Sequence, residues 1–386
     1  MSASDRITCY AWQVDDVLSD VDNQVNDLAA LGFSDDVRER FGGYVASGLL
    51  PARITRVDRG MPIALSEQGV FRVEYSPSLR ETSGSTPKGA VVGDWVGLSR
   101  PDGHQAWLID AILPRKSAFH RKDPAEGTEQ QVVIANVDVI FVMQSLSGAG
   151  INVRRLEREL VMAWESGAVP VIVLSKADLV DDPDGKAAVA REIAFGVDVI
   201  IESAVTGLGV EEILMRIPAG STAALLGSSG VGKSTLVNRL LGTESIKTAQ
   251  TRSKDDKGRH TTTAREMFAI PGGGVIIDTP GMRGLSLWNS HKGMTAAFPD
   301  IVSLEEQCHF GDCAHDREPG CAVSAAVSAG ELKQGRVDSW RRLQAELDEL
   351  TVRQEDIARR GDGKKSKSRP VGPNHKARGR GVDQEY

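Results

Sequence analysis

The sequence lacks any run of about 18 uncharged apolar residues, the length that a membrane-spanning helix needs. It begins Met-Ser-Ala-Ser-Asp-Arg, which has neither the basic nor the apolar region of a secretory signal. Cysteine is scarce: 4 residues in a chain of 386 exclude a disulfide framework. These absences predict a cytoplasmic protein that does not associate with a membrane.

Length and charge distribution predict several domains. A chain of 386 residues is too long for one ordinary core, so two or three domains are expected. Hydrophobic residues at 40% and charged residues at 26% are typical of a globular protein. The net charge of -7 conceals an acidic leader over residues 1–44 and a basic, disordered tail over residues 359–386. That tail could contact RNA phosphates or simply be solvated.

Short β-rich runs fill residues 45–117. Gly69-Val-Phe-Arg-Val-Glu-Tyr75 and Gly93-Asp-Trp-Val-Gly-Leu98 alternate apolar and polar positions between turn residues. The pattern predicts a small antiparallel β-barrel, and a five-stranded oligonucleotide-binding (OB) barrel fits the length. Another small β domain could give the same pattern.

Residues 118–288 alternate dense apolar strands with helices, which predicts a mainly parallel sheet covered on both faces. Residues 265–270 and 275–278 flank Pro271-Gly-Gly-Gly274, which predicts a hairpin at the edge of that sheet.

A phosphate-binding loop lies inside this α/β region. Its signature, Gly227-x-x-x-x-Gly232-Lys233-Ser234, follows a predicted strand and opens a predicted helix. Glycines let backbone amides approach phosphate oxygens, and the helix amino terminus adds partial positive charge. Lys233 would reach the β and γ phosphates and Ser234 would ligate Mg²⁺. The predicted nucleotide contacts are Gly227, Ser228, Ser229, Gly230, Val231, Gly232, Lys233, Ser234 and Thr235.

Further magnesium and γ-phosphate contacts are predicted downstream. Asp278 ends an apolar strand, so its carboxylate should hold Mg²⁺, and the Gly281 amide should meet the γ phosphate. Thr262, or Thr261 beside it, would complete the metal shell. The alternative is that these hydroxyls lie on a solvated loop.

The residues that read the base are predicted at Ser175, Lys176, Ala177 and Asp178, with Ser203 and Ala204. Asp178 can accept hydrogen bonds from the ring N–H and the exocyclic amine of guanine, which adenine cannot offer. Lys176 would lie across the base, and Ser203-Ala204 would offer a backbone amide to the guanine carbonyl. Ser175 stands where Asn is usual, so one amide is lost. We predict GTP and GDP as ligands, with an ATPase as the alternative.

The order of these motifs is rotated. In an ordinary guanine-nucleotide switch the phosphate loop comes first, whereas here the base-reading residues precede it and Asp278-Thr-Pro-Gly281 follows it. The arrangement predicts a circularly permuted GTPase domain.

Two residues bear on how the attacking water is oriented. Met282 follows Gly281, where small GTPases carry a glutamine that orients the attacking water, so slow intrinsic hydrolysis is predicted. His260 could orient or deprotonate water, or it could contact only solvent or RNA.

A metal module is predicted after the α/β region. Three thiols and an imidazole within fourteen residues make a closed tetrahedral set typical of structural Zn²⁺. The predicted ligands are Cys308, Cys313, His315 and Cys321, with His309 as a competing imidazole.

With these motifs, the chain resembles the circularly permuted ribosome-assembly GTPases called small-subunit-dependent GTPase A (RsgA or YjeQ). The resemblance covers about residues 45–355. It implies an amino-terminal OB barrel, a central GTPase domain and a helical zinc-binding carboxyl domain. It also implies late maturation of the small ribosomal subunit, contact with its rRNA, and hydrolysis stimulated by that subunit. The family's catalytic histidine matches His260.

We therefore predict a monomeric, multidomain GTPase requiring Mg²⁺ and one structural Zn²⁺. Its divisions are an acidic extension (1–44), an OB-like β-barrel (45–117), a permuted α/β P-loop domain (118–288), a zinc-binding helical domain (289–358) and a basic tail (359–386). The alternative is a non-catalytic RNA-binding scaffold in which nucleotide is structural.

Overall fold

The computed structural model describes residues 28–58, 60–82, 89–122, 130–242, 265–278, 287, 290–316 and 318–365. Its first part is a closed barrel of five strands. These are β1 (Leu50–Asp58), β2 (Met61–Ser66), β3 (Gly69–Tyr75), β4 (Trp95–Ser99) and β5 (Trp107–Ile112). The strands pair in the order β1-β2-β3-β5-β4, and pairing of β4 with β1 closes the barrel. The predicted OB-like barrel is confirmed, but it is not antiparallel throughout as predicted, because β3 and β5 pair in parallel.

A helix that precedes the barrel packs against it. Helix α1 (Asp35–Ala46) begins after Ser34, whose hydroxyl accepts a hydrogen bond from Val37 N at 3.4 Å. Phe33 and Phe41 bury their rings beside Trp95 of the barrel, with Phe33 and Trp95 ring centroids 5.3 Å apart. The boundary predicted at residues 44/45 falls inside this helix, so the segment from residue 28 onward packs with the barrel. A short helix, α2 (Pro77–Thr82), links β3 to β4.

The central part is a parallel sheet with helices on its faces, as predicted. After the two-stranded ribbon β6 (Ala118–Lys122) and β7 (Gln130–Ala135), strands and helices alternate. They are β8 (Val139–Ser145), α3 (Val153–Glu165), β9 (Val169–Ser175), α4 (Pro183–Ile193), β10 (Val199–Ile201), α5 (Val210–Met215), β11 (Thr222–Gly227), α6 (Lys233–Leu241), β12 (Arg265–Ala269) and β13 (Val275–Asp278).

Strand order in this sheet is β10-β9-β8-β11-β13-β12. Strand β8 is buried along its length on both faces, which explains its unbroken apolar run. Strands β12 and β13 form the predicted hairpin, but its predicted edge position is wrong. Strand β12 pairs antiparallel with β1 of the barrel, with Arg56 opposite Glu266, so the two sheets are continuous.

The last part is helical and docks on α3. It comprises α7 (His291–Ala297), α8 (Pro299–Glu305), α9 (Ala322–Ser328) and α10 (Gln334–Lys365). Gly293 N donates to Glu165 at 2.8 Å, and a Cβ on Gly293 would lie 2.2 Å from Val161 O, so only glycine permits this approach. Arg342 of α10 also binds the buried Glu157 of α3 at 2.7 Å. Helix α10 runs past the predicted boundary at residues 358/359.

Among the residues described, no helix combines the length and apolar character that crossing a bilayer requires.

Candidate functional site

The phosphate loop connects β11 to α6 at the carboxyl edge of the parallel sheet. Gly227, Gly230 and Gly232 have φ of 152°, 78° and 112°, a backbone region that residues with a Cβ rarely adopt. A Cβ on Gly227 would also lie 2.6 Å from Met143 O of the neighbouring strand. The glycines are therefore spaced as this turn requires, because residues with a side chain could not adopt it. The loop then leads into the start of α6.

Lys233 folds over this loop. Its Nζ donates to Gly227 O at 2.8 Å and to Ser228 O at 2.9 Å, and its side chain is half-buried. The ammonium group thus lies above the loop's backbone, where anionic phosphate oxygens could take the place of those carbonyls. Ser234 and Thr235 follow it in the first turn of α6.

The residues predicted to read the base lie beside the predicted phosphate loop. Ser175 Oγ donates to Val231 O at 2.6 Å, and Lys176 Nζ donates to Gly230 O at 2.6 Å. These bonds join segments more than fifty positions apart in the chain. Lys176 has φ of 62°, so the turn after β9 is left-handed and leads at once into a 3₁₀ turn that carries Asp178.

Asp178 and Ser203 form the outer part of the pocket. Ser203 Oγ donates to Asp178 Oδ1 at 2.6 Å, and Ser203 is fully buried while Asp178 is exposed. The bond occupies one carboxylate oxygen of Asp178. The exposed carboxylate can still accept further hydrogen bonds. Ala204 lies next in the chain, and its N–H donates to the carboxyl group of Glu202.

Asp278 lies at the neighbouring position on the same sheet edge. Strand β13 runs parallel to β11, with Ala224 opposite Ile277, so Asp278 ends its strand near the phosphate loop. Its side chain is only 7% exposed. A buried carboxylate beside a hydroxyl-bearing loop is a donor set that suits Mg²⁺. His260, Thr261, Thr262, Gly281 and Met282 lie outside the described residues.

The structure brings the predicted zinc ligands together. One donor atom from each of Cys308, Cys313, His315 and Cys321 lies within 4.8 Å of the others. His315 Nδ1 lies 3.5 Å from Cys308 Sγ and 3.6 Å from Cys321 Sγ. His315 Nε2 faces Glu305 at 3.2 Å, an outer carboxylate that would orient a ligating imidazole. His309 is not in the cluster and stacks edge-on against Phe310 instead.

The thiols of this cluster have divergent pKa values. Although burial alone raises it, hydrogen bonds from Ser324 and His315 lower the pKa of Cys321 to about 6. Burial and the neighbouring Cys321 and Cys308 raise the pKa of Cys313 to about 11. Without a cation the cluster therefore disfavours ionisation of Cys313 beside Cys321. A divalent cation offsets that repulsion, so the donor set fits Zn²⁺.

Zinc removal tests this fit. We expect the protein to contain a single zinc ion, and Cys313→Ser to lose it along with the cooperative melting of the carboxyl-terminal helices. Because thiols must lose protons to bind the metal, zinc affinity should also fall steeply as the pH is lowered through neutrality. Metal content and thermal unfolding measure both effects.

Cys9→Ser is the matched control, since Cys9 lies outside the described residues and far from the cluster in sequence. A Cys313→Ser variant that retains stoichiometric zinc would contradict the ligand set.

The sequence patterns did not indicate Glu202, which lies next to the predicted site. Glu202 is 2% exposed and lies between β10 and Ser203, next to the base-reading residues. The sequence feature that could have indicated it is a charged residue directly after the apolar residues of β10, at a position where a buried residue is expected.

Comparisons with known proteins agree with this geometry. Residues 112–288 match the model of a family described as RsgA GTPase. The small ribosomal subunit biogenesis GTPase RsgA of Streptomyces coelicolor is 42% identical over 339 residues, which cover 86% of this chain and 90% of the relative. The protein of the same name from Syntrophotalea carbinolica is 38% identical over 352 residues, covering 89% and 96%.

Solved structures show the same architecture. The crystal structure of YjeQ from Thermotoga maritima has a TM-score of 0.59 and 26% identity, covering 78% of this chain and 98% of that one. YloQ, a circularly permuted GTPase, has a TM-score of 0.55 and 24% identity, covering 78% and 96%. The predicted multidomain fold with a circularly permuted α/β domain is thereby confirmed.

Proposed function

Because the chain belongs to the RsgA GTPase family, we propose that it binds the small ribosomal subunit and hydrolyses GTP during late maturation of that subunit. Hydrolysis is stimulated by the subunit. The observation that carries the proposal is the pair of hydrogen bonds from Ser175 and Lys176 to the phosphate loop. They support the proposal because they hold the turn that leads to Asp178 against the phosphate loop at one sheet edge, despite the permuted motif order.

Different residues bind the base, the phosphates and the metal. Asp178 accepts from the guanine N–H groups, and Lys176 lies across the base. Lys233 and the loop amides from Gly227 to Thr235 hold the phosphates. Ser234, Thr262 and Asp278 would hold Mg²⁺, which would neutralise charge on the phosphates. Preorganised donors of this kind stabilise the charge that develops in phosphoryl transfer.

The proposal also covers the residues that act on the attacking water and the helical carboxyl-terminal part of the chain. His260 orients or deprotonates the water, and Gly281 contacts the γ phosphate. The Cys₃His cluster holds one structural Zn²⁺ and shapes a domain that contacts rRNA. We retain the five predicted divisions, with the segment from residue 28 assigned to the barrel. The protein acts as a monomer in the cytoplasm.

A turnover assay tests the proposal. Phosphate release from GTP should be slow for the protein alone and should rise at least about a hundredfold with purified small ribosomal subunits. His260→Ala should lose that stimulation while still binding GDP, because it removes the group that acts on water and none that holds the nucleotide.

His104→Ala, which changes an exposed loop histidine of the barrel, is the control and should keep full stimulation. Absence of stimulated turnover in the wild-type protein would favour the scaffold alternative. Protection from melting by ADP rather than GDP would favour an ATPase.

A further inference from the structure

A buried carboxyl group lies beneath the base-reading residues. The Glu202 side chain is 2% exposed, and its Oε1 makes no hydrogen bond within the part of the chain that the structure describes. A buried carboxyl group that is not fully paired is costly, because water no longer solvates it. Its position next to a ligand site therefore calls for a functional reason.

Glu202 is bonded to both segments that read the base. Its N–H donates to Leu174 O at 2.8 Å, and its carbonyl accepts from Ala177 N at 3.0 Å, which anchors the turn that carries Asp178. Its carboxyl group accepts from the N–H of Ala204. One residue thus holds the Asp178 turn through its backbone and the Ala204 amide through its side chain.

The charge state of Glu202 is sensitive to the same site. Burial and, to a smaller extent, the negative charge of Asp178 raise the pKa of Glu202, the Ala204 hydrogen bond opposes both, and the resulting pKa is about 7. The nearby lysines do not neutralise it, because Lys176 donates to Gly230 O and Lys186 to Leu146 O.

The remaining carboxylates on adjoining helices are directed elsewhere. Glu211 and Glu212 on α5 are exposed, and Asp184 on α4 pairs with Arg191. Asp178 is therefore the charged group that Glu202 faces.

We propose that Glu202 is a positioning residue of the guanine site: its neutral carboxyl group leaves Asp178 in its base-reading position, and its ionised carboxylate displaces Asp178. The inference rests on the proposed function, since it requires Asp178 to read guanine. Ionised Glu202 repels the exposed Asp178 towards solvent, and the two acceptor contacts to the guanine N–H groups weaken. Neutral Glu202 removes that repulsion.

The test compares GDP with inosine diphosphate, which lacks the exocyclic amine that Asp178 reads. Both ligands carry the same phosphates, so phosphate ionisation cancels in the ratio of their affinities. Between about pH 6 and pH 8, the wild-type preference for GDP should fall by about fivefold to tenfold as Glu202 ionises. Glu202→Gln, which stays neutral, should keep the high preference at every pH.

Glu202→Ala, which also lacks the charge, should likewise keep a high, pH-independent preference, and Glu211→Gln, which removes an exposed charge, should follow the wild type. Thermal melting of each variant establishes that it is folded. A wild-type preference that does not change with pH, or that changes equally in Glu202→Gln, overturns the role of Glu202. Failure of the wild type to bind GDP at any pH overturns the guanine site itself, and this inference with it.

Discussion

Replacing Lys233 with alanine should reduce subunit-stimulated GTP hydrolysis at least about a thousandfold. Its ammonium group is held over the phosphate loop by Gly227 O and Ser228 O, within reach of a bound triphosphate. Charge builds up on the phosphate oxygens during transfer, so a fixed cation there stabilises the transition state more than the ground state. Single-turnover phosphate release at saturating GTP measures the effect on the chemical step.

Lys186→Ala is a suitable control. Lys186 also donates its Nζ to a backbone carbonyl, Leu146 O at 3.2 Å, but it lies on α4 and outside the phosphate loop. Its removal should leave turnover within about twofold of the wild type, a change expected of an exposed site. Near-normal hydrolysis by Lys233→Ala would refute the assignment of this loop as the phosphate cradle.

Replacing Arg53 with methionine should lower the free energy of unfolding by about 3–5 kcal/mol. Arg53 is 1% exposed and joins three parts of the molecule. Its guanidinium donates to Leu31 O of the amino-terminal segment, to Gly93 O of the barrel at 3.3 Å, and to Asn136 O of the α/β region at 3.1 Å. Methionine fills the volume but leaves those carbonyls without donors, which is the costly case.

Arg53 also contacts the strand that leads to the phosphate loop. Its Nη2 donates to Thr222 Oγ1 at 2.9 Å, and its guanidinium lies 5.0 Å from the Trp95 ring centroid. Burial lowers the pKa of Arg53 to about 10, so the side chain remains charged at neutral pH. The interaction network therefore links the barrel to β11 under working conditions.

Denaturant unfolding checks this prediction, with Arg72→Met, an exposed arginine on β3, as the comparison. That control should change stability by less than about 0.5 kcal/mol. If Arg53→Met unfolds within about 1 kcal/mol of the wild type, the carbonyls have found other partners and the proposed link between domains is absent.

Local sequence patterns predicted a phosphate loop and a carboxylate that ends a strand, and both lie at the carboxyl edge of one parallel sheet. The glycines of the phosphate loop and the carboxylate that ends β13 were recognisable because each depends on its immediate neighbours in the chain. The metal-ligand cluster was likewise predictable from the close spacing of Cys308, Cys313, His315 and Cys321. A short spacing limits how far the ligands can separate, so little tertiary information is needed.

Pairings across long separations were not predictable in the same way. The hairpin of β12 and β13 was read correctly, but its outer strand is covered by β1, more than two hundred positions earlier. Apolar alternation is the same whether a strand lies at an edge or inside a sheet. The buried Arg53 was missed for a related reason, since a charged residue in a strand ordinarily points to solvent.

The amino-acid sequence by itself determined the chemical types of the ligands and the permuted order of the motifs, because both are properties of residues and their succession. The tertiary structure decided which of those residues meet: Ser175 with Val231, and Asp178 with Ser203. Such contacts depend on how parallel strands align at a common edge, and no local pattern records that alignment.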